Sequence, residues 1–266
     1  MGSKVAASLS WAHVSADRRR IVVYASKVAG LAGMHPYQDR EQMRAEFVDR
    51  VFHEEVAKEV KPDAAAIIAA LPEGDAKAAI ERIIALSSGT AKGSECKIVE
   101  ALDTLAPSLV APEVREAIRE VAFTTHGKVA EDGIRDATRE ALLAHGAPSN
   151  NIRVDPIFRT GASPWFVVGD TRVFLGGKTD GLRDDGKVYE FKARMRRFLG
   201  VPTYERVQLT AYLSMLGATN GALVESYMGE RKEHEVAFEP AFWAEVTAEA
   251  QAFFSDLLIP PAPTPV

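Results

Sequence analysis

The chain has 266 residues, of which 47% are hydrophobic, and a formal net charge of −5. The hydrophobic content is ordinary for a globular protein, and the length suits one large domain or a domain with an insertion. An acidic chain is ill suited to coating nucleic acid, so any contact with a polyanion has to come from a local basic patch.

No apolar run approaches the roughly 20 residues of a membrane-spanning helix, and no signal-peptide core is read at the N-terminus. An intracellular, soluble protein, cytoplasmic or nuclear and without a membrane partner, is expected. Cys96 is the only cysteine. That excludes a disulfide within the chain and a cysteine-held iron–sulfur cluster, and Cys96 itself reads as a small buried residue.

In chain order, residues 27–32 read as a short helix for which Ser26 would be the N-cap. Residues 39–122 read as almost wholly helical. Helix 41–60 carries Met43, Phe47, Val51 and Phe52 at helical spacing and is stopped by Pro62. Helices 64–71, 75–86, 95–105 and 112–121 follow, separated by Pro72-Glu73-Gly74, Ser87-Ser88-Gly89 and Pro107-Ser108. A further helix opens at His126 and runs to His145. Segments 171–176 and 187–192 read as strands, 203–216 as a helix, 221–228 and 234–238 as strands, and 240–258 as a closing helix. The ending 259–266, with Pro260, Pro261, Pro263 and Pro265, forms neither a helix nor a central strand.

Chemistry concentrates around Gly176-Gly177-Lys178-Thr179-Asp180-Gly181 and Val188-Tyr189-Glu190-Phe191-Lys192. Between the two lies Asp184-Asp185-Gly186. A three-residue hairpin loop ends in a left-handed residue, where glycine is cheapest. Such a loop pairs 183 with 187 and therefore 180 with 190. Asp180 and Glu190 then share a face of the sheet, and Lys192 joins them by the two-residue period. A tight two-residue turn at Asp185-Gly186 would pair 181 with 190 and turn Asp180 away. Two carboxylates on one face can hold a divalent cation against a phosphodiester. Taken alone, the same pattern is ordinary turn chemistry beside a solvated ion pair.

Two helices flank this hairpin. The upstream one carries Gly127 and Glu131, and the downstream one carries Gln208 and Tyr212 on a single face. The order Gly-x-x-x-Glu, Gly-x-x-Asp-Gly, Glu-x-Lys, Gln-x-x-x-Tyr resembles the PD-(D/E)XK nuclease superfamily, above all its lambda exonuclease and YqaJ-type viral recombinase branch. Residues 25–37, Ala-Ser-Lys-Val-Ala-Gly-Leu-Ala-Gly-Met-His-Pro-Tyr, are similar to the opening block of that branch, with Tyr24 where its members usually have Thr.

The resemblance implies an α/β fold: a restriction-endonuclease-like core with a central mixed sheet flanked by helices, plus a helical insertion. On this division residues 1–38 and 123–258 form the core, 39–122 the insertion or cap, and 259–266 a Pro-rich tail. Asp180, Glu190 and the carbonyl of Phe191 would hold Mg²⁺, with Mn²⁺ able to substitute, and Glu131 would add a carboxylate. Lys192 would orient or deprotonate the attacking water, while Gln208 and Tyr212 would brace the site. Arg19 and Ser26 correspond to two of the branch's phosphate-binding positions. The third falls on Lys178, where the branch has Ser, which puts a preference for a 5′-phosphate in doubt. Lys192, Arg194 and Arg196 alternate, as if presenting cations to phosphates along one strand.

The implied activity is exonucleolytic digestion of linear duplex DNA in recombination or end processing, with a single-strand annealing protein as partner and a ring-shaped homotrimer as assembly. Alternatives are a structure-specific endonuclease on the same core and a catalytically silent DNA-binding module. The plain readings also stand: a surface pair of Glu131 with Arg135, a half-exposed face at Gln208 and Tyr212, and a solvated basic run at Arg18–Arg20.

Overall fold

The computed structural model describes residues 5–15, 17–52, 71, 74–89, 93–105, 110–146, 151–154 and 158–258. Three strands come first: β1 (Val5–Ser8), β2 (Ala12–Ser15) and β3 (Arg20–Tyr24). A 3₁₀ turn (Ala25–Lys27) leads into α1 (Val28–Leu31), followed by α2 (Arg40–Phe47), α3 (Asp75–Ser87), α4 (Ser94–Thr104) and α5 (Pro112–Ala144). Then come β4 (Ile152–Arg153), β5 (Arg159–Thr160), β6 (Phe166–Val168), β7 (Thr171–Gly177), β8 (Gly181–Arg183) and β9 (Val188–Ala193). The chain closes with α6 (Thr203–Leu216), β10 (Asn220–Tyr227), β11 (Glu230–Ala237) and α7 (Pro240–Leu258).

The strands form two mixed sheets where a single central sheet was expected. One has the order β1-β2-β3-β7-β5, with β6 also on β7, and the other has the order β11-β10-β9-β8-β4. Each contains one parallel pair, β3 with β7 and β9 with β10. Residues 171–176 and 187–192 therefore do not pair with each other. The chain leaves the first sheet at Gly177 and enters the second at Gly181. At Gly177 it passes so close to α6 that an added Cβ would stand 2.8 Å from Tyr212 Cε1.

The hairpin has the longer of the two loops considered. Gly181 pairs with Tyr189 and Leu182 with Val188, and Arg183 N–H donates to the Lys187 carbonyl at 2.9 Å. Gly186 takes φ +90°, the left-handed geometry that closes such a loop. Helix α6 has the predicted bounds. Pro202 precedes it, and Gly217 at φ +66° ends it, a common left-handed stop. It links the parallel neighbours β9 and β10, a connection that needs a crossover and is usually helical.

Among the described residues three hydrophobic clusters stand out. The largest joins the first sheet to α1, α2, α6 and α7, with Trp11 stacked on Phe47 at 5.8 Å. The second is built on Ile80, Ile83, Ile98, Leu102 and Ile118 of the helical region, with Met195 from beyond β9 packed against it. In the third, Ile134 packs on Ile152, Tyr189, Phe191, Ala222 and Val224 of the second sheet. The helices read at 112–121 and from His126 are one continuous helix, α5, which takes part in both smaller clusters. The division drawn at 122/123 thus falls inside a helix; Gly127 and Gly133 do not interrupt it, since glycine in a helix costs only about 1 kcal/mol. The helix read at 41–60 is α-helical over Arg40–Phe47 and then a π-helical turn over Val48–Phe52, and its residues 53–60 lie outside the described residues. Most of the helix read at 64–71 and the tail 259–266 lie outside the described residues. Among those described, no helix is long and apolar enough to cross a membrane.

Candidate active site

The hairpin register sets Asp180 beside Glu190. Asp180 is half-buried just before β8, and its Oδ2 accepts the Phe191 backbone N–H at 3.0 Å. Glu190, in the middle of β9, is 1% exposed. Its Oε1 accepts from the Lys192 ammonium and, at 2.8 Å, from Gln208 Nε2 on α6. Its Oε2 is buried without a hydrogen-bond partner. An orphaned carboxylate oxygen at such a position is expensive.

The electrostatics follow from this crowding. Burial, with the Asp180 carboxylate beside it, pushes the Glu190 carboxyl up to about 8. Burial also raises Asp180, and the nearby Glu131 adds to the rise. Burial works against the charge on Lys192, but the Glu190 and Asp180 carboxylates outweigh it and hold the ammonium above the usual lysine range. Burial and the same two carboxylates raise the Tyr212 phenol. Two carboxyls that resist ionisation together, one with an open lone pair, form a donor set that a divalent cation would satisfy.

The residues present fit such an ion. Asp180, Glu190 and the Phe191 carbonyl are hard oxygen donors, and Mg²⁺ is commonly held by one or two carboxylates while keeping several waters. Glu131, on α5, feels the charges of Lys192 and Glu190 and is itself raised, chiefly by burial. It does not complete a ligand cage: among the described residues no group of three His, Cys, Asp or Glu side chains is placed to hold a metal ion.

The remaining sequence candidates are placed unevenly. Gln208 reaches Glu190 directly, and Tyr212, one turn on, packs against Gly177. Lys178 is exposed two residues before Asp180. Ser26 is exposed after the C-terminal end of β3 and makes no side-chain cap to the short helix. Arg19 stands at the opposite end of that strand. β3 runs parallel to β7 with Arg20 opposite Arg172 and Tyr24 opposite Gly176, so Arg19 lies at the start of the strand pair whereas Asp180 lies past its finish. Counting along the sequence from Ser26 had put the two together; the strand between them holds them apart.

Arg194 also departs from its expected role. β9 ends at Ala193, so the alternation Lys192, Arg194, Arg196 does not continue along a strand. Arg194 is 8% exposed. Its guanidinium forks onto Glu205 at 2.7 and 2.6 Å and also donates to Glu225. Arg196 is exposed and 3.8 Å from the Asp103 carboxylate. Glu205 and Glu225 were missed in the sequence. Glu205 raises both Glu190 and Lys192 by its charge, and its spacing of three from Gln208 on one helix face was the available signal.

No family model matches the chain, and no curated protein matches it. Among solved structures it is similar to an alkaline exonuclease, LHK-Exo from Laribacter hongkongensis, with 14% identity, a TM-score of 0.46, and coverage of 89% of this chain and 87% of that one. The structure of LHK-Exo in complex with dAMP is similar at 14% identity and a TM-score of 0.37, covering 67% of this chain and 86% of that one.

Proposed function

We propose that the chain is a metal-dependent deoxyribonuclease that degrades linear double-stranded DNA from its ends. The observation that carries the reading is Glu190: opposed to Asp180 across the hairpin, neighboured by Lys192, and left with one buried oxygen unpartnered. Mg²⁺ or Mn²⁺, held by Asp180, Glu190 and the Phe191 carbonyl, would supply neutralisation of the phosphoryl oxygens and a more acidic water.

The protein groups divide the remaining work. Lys192 stays an ammonium in this setting, so its part is to position the attacking water and offset charge rather than to accept a proton. Gln208 fixes the Glu190 carboxylate, and Tyr212 walls the site beside Gly177. The preference for DNA ends rests on the motif resemblance, as do the annealing partner, the trimeric ring and the recombination setting. A single species of monomer mass in light scattering would remove the ring.

The test is Mg²⁺-dependent digestion of end-labelled linear duplex beside a covalently closed circle, with Lys192→Ala as control. Loss of the linear DNA alone, absent in the variant, supports the exonuclease. Cleavage of both substrates makes the protein an endonuclease. Cleavage of neither leaves a DNA-binding module.

A further inference from the structure

Among the described residues there is a concentration of cations that the carboxylate site does not use. Arg135, Arg139, Arg153 and Arg159 line a groove of about 550 Å³ together with Asn151, Ile152, Val154 and Leu182. Four guanidinium groups and no lysine converge there in a chain of net charge −5. The groove lies where the two sheets expose their ends, since β4 is the last strand of one and β5 of the other. Helix α5 supplies Arg135 and Arg139.

The groove adjoins the candidate active site on both of its walls. Glu131, Arg135 and Arg139 are spaced by four on α5, which sets them in one row on the helix, roughly 6 Å apart along its axis. The row therefore begins at the carboxylate beside Lys192 and continues as arginines. On the opposite wall, Leu182 follows Asp180 by two residues, and Arg159 pairs with Gly177, three residues before Asp180.

We propose that this groove binds the sugar-phosphate backbone of single-stranded nucleic acid continuous with the strand in the carboxylate site. The identity of the polyanion rests on the nuclease reading. Arginine is suited to the task because its planar fork meets phosphate oxygens in pairs and stays charged at every working pH. The present partners of three of these arginines are exchangeable. Arg135 is held by Asp132, Arg139 by Asp136 at 3.5 Å and Arg153 by Asp184 at 3.0 Å. Those aspartates are 72%, 61% and 42% exposed, and such surface pairs contribute only about 0–1 kcal/mol. A phosphate can displace them at little loss. Val154, 45% exposed in the groove, offers apolar surface to unpaired bases. A duplex keeps its bases stacked away from such surface, whereas a single strand presents them.

The experiment uses the full chain in Ca²⁺, a probe ion whose looser coordination disfavours cleavage, with fluorescein-labelled single-stranded DNA of roughly 16 nucleotides, at the upper end of single-strand site sizes. The variant is Arg139→Ala with Arg153→Ala, both surface positions, and its Tm is measured alongside. We expect its loss of affinity for the oligonucleotide to exceed its loss for a dinucleotide at least tenfold. We also expect the slope of log K against log salt to become shallower by about 1.4, two phosphate contacts at about 0.7 each for a single strand. The charge-retaining variant Arg139→Lys with Arg153→Lys should recover most of the slope. Unchanged affinity and slope in the alanine variant would overturn the groove, and equal losses on blunt duplex and single strand would overturn the single-strand assignment. Absence of Mg²⁺-dependent cleavage by the wild type, with groove binding intact, would instead remove the nuclease reading and leave the groove as a nucleic-acid site.

Discussion

Arg194→Ala discriminates sharply between a structural and a DNA-binding role for this arginine. In the folded protein Arg194 supplies both hydrogen bonds that Glu205 accepts from it, at 2.7 and 2.6 Å. Glu225 has other partners: the backbone N–H groups of Leu199 and Gly200, each at 2.9 Å, and His234 Nε2 at 2.9 Å. Removal of the guanidinium therefore leaves Glu205, which is 3% exposed, with the Tyr204 hydroxyl as its side-chain partner, and costs it more than it costs Glu225. Breaking a buried ion pair by deleting one partner costs about 3–5 kcal/mol, and at about 2–4 °C per kcal/mol for chains of this size Tm should fall by about 10 °C. Adding Glu205→Gln should recover part of that loss, because the stranded charge is gone. Arg196→Ala, at an exposed site, should stay within about 0.5 kcal/mol of wild type. Differential scanning calorimetry of the three variants, with DNA affinity measured in parallel, gives the answer. If Arg194→Ala melts with the wild type and loses DNA affinity, the buried network contributes nothing and the sequence-level reading of Arg194 as a phosphate contact stands.

Lys192→Ala should abolish cleavage while leaving the circular dichroism spectrum and Mg²⁺ binding in place; retained turnover would refute its role. Asp180→Asn should shrink the calorimetric heat of Mg²⁺ binding, although the single oxygen left in the amide can still accept the Phe191 N–H; an unchanged heat would place the ion elsewhere. Gly177→Ala should destabilise by about 1–3 kcal/mol, because the new methyl meets the Tyr212 ring and a packed aromatic gives little. A neutral Tm there would show that the ring moves freely. Asp185 is held down to about 2, first by its hydrogen bonds from Arg183. With its folded value below the unfolded one, near 3.9, its contribution is present above the unfolded value and is lost as pH falls through the folded one. Asp185→Asn should therefore flatten the decline of Tm between about pH 4 and pH 2, and an identical decline in the variant would rule the pair out.

The hairpin was legible because its information is local. Asp184-Asp185-Gly186 sets the loop, the loop sets the register, and the register sets which side chains meet. Helix α6 was legible to the residue for a similar reason: Pro202 and Gly217 bracket it. What could not be read was set by distant chain. Segments 171–176 and 187–192 read as the two strands around Asp184-Asp185-Gly186, but β7 pairs in the first sheet and β9 in the second, with Gly177 packed against Tyr212 where the chain passes between them. Arg194 carries the alternation of a strand, but β9 stops one residue earlier, and the carboxylates that claim it come from positions 205 and 225. Arg19 was placed by counting back from Ser26, a distance that the extended β3 turns into separation. The cation-rich groove was invisible because its four arginines come from α5 and from two edge strands too short to recognise.

Helix α5 bears on how the cap can be altered. Its 33 residues span roughly 50 Å. Its first turns bury Ile118 and Ala122 among α3 and α4, and its later turns carry Glu131, Arg135 and Ile134 over the second sheet. The helical cap and the wall of the cleft are thus one rigid member without a joint. A deletion ending at residue 122 would cut through this beam, and the surviving stub would lose the bracing that aims its carboxylate and its arginines. Shortening or grafting the cap calls for junctions beyond both ends of Pro112–Ala144.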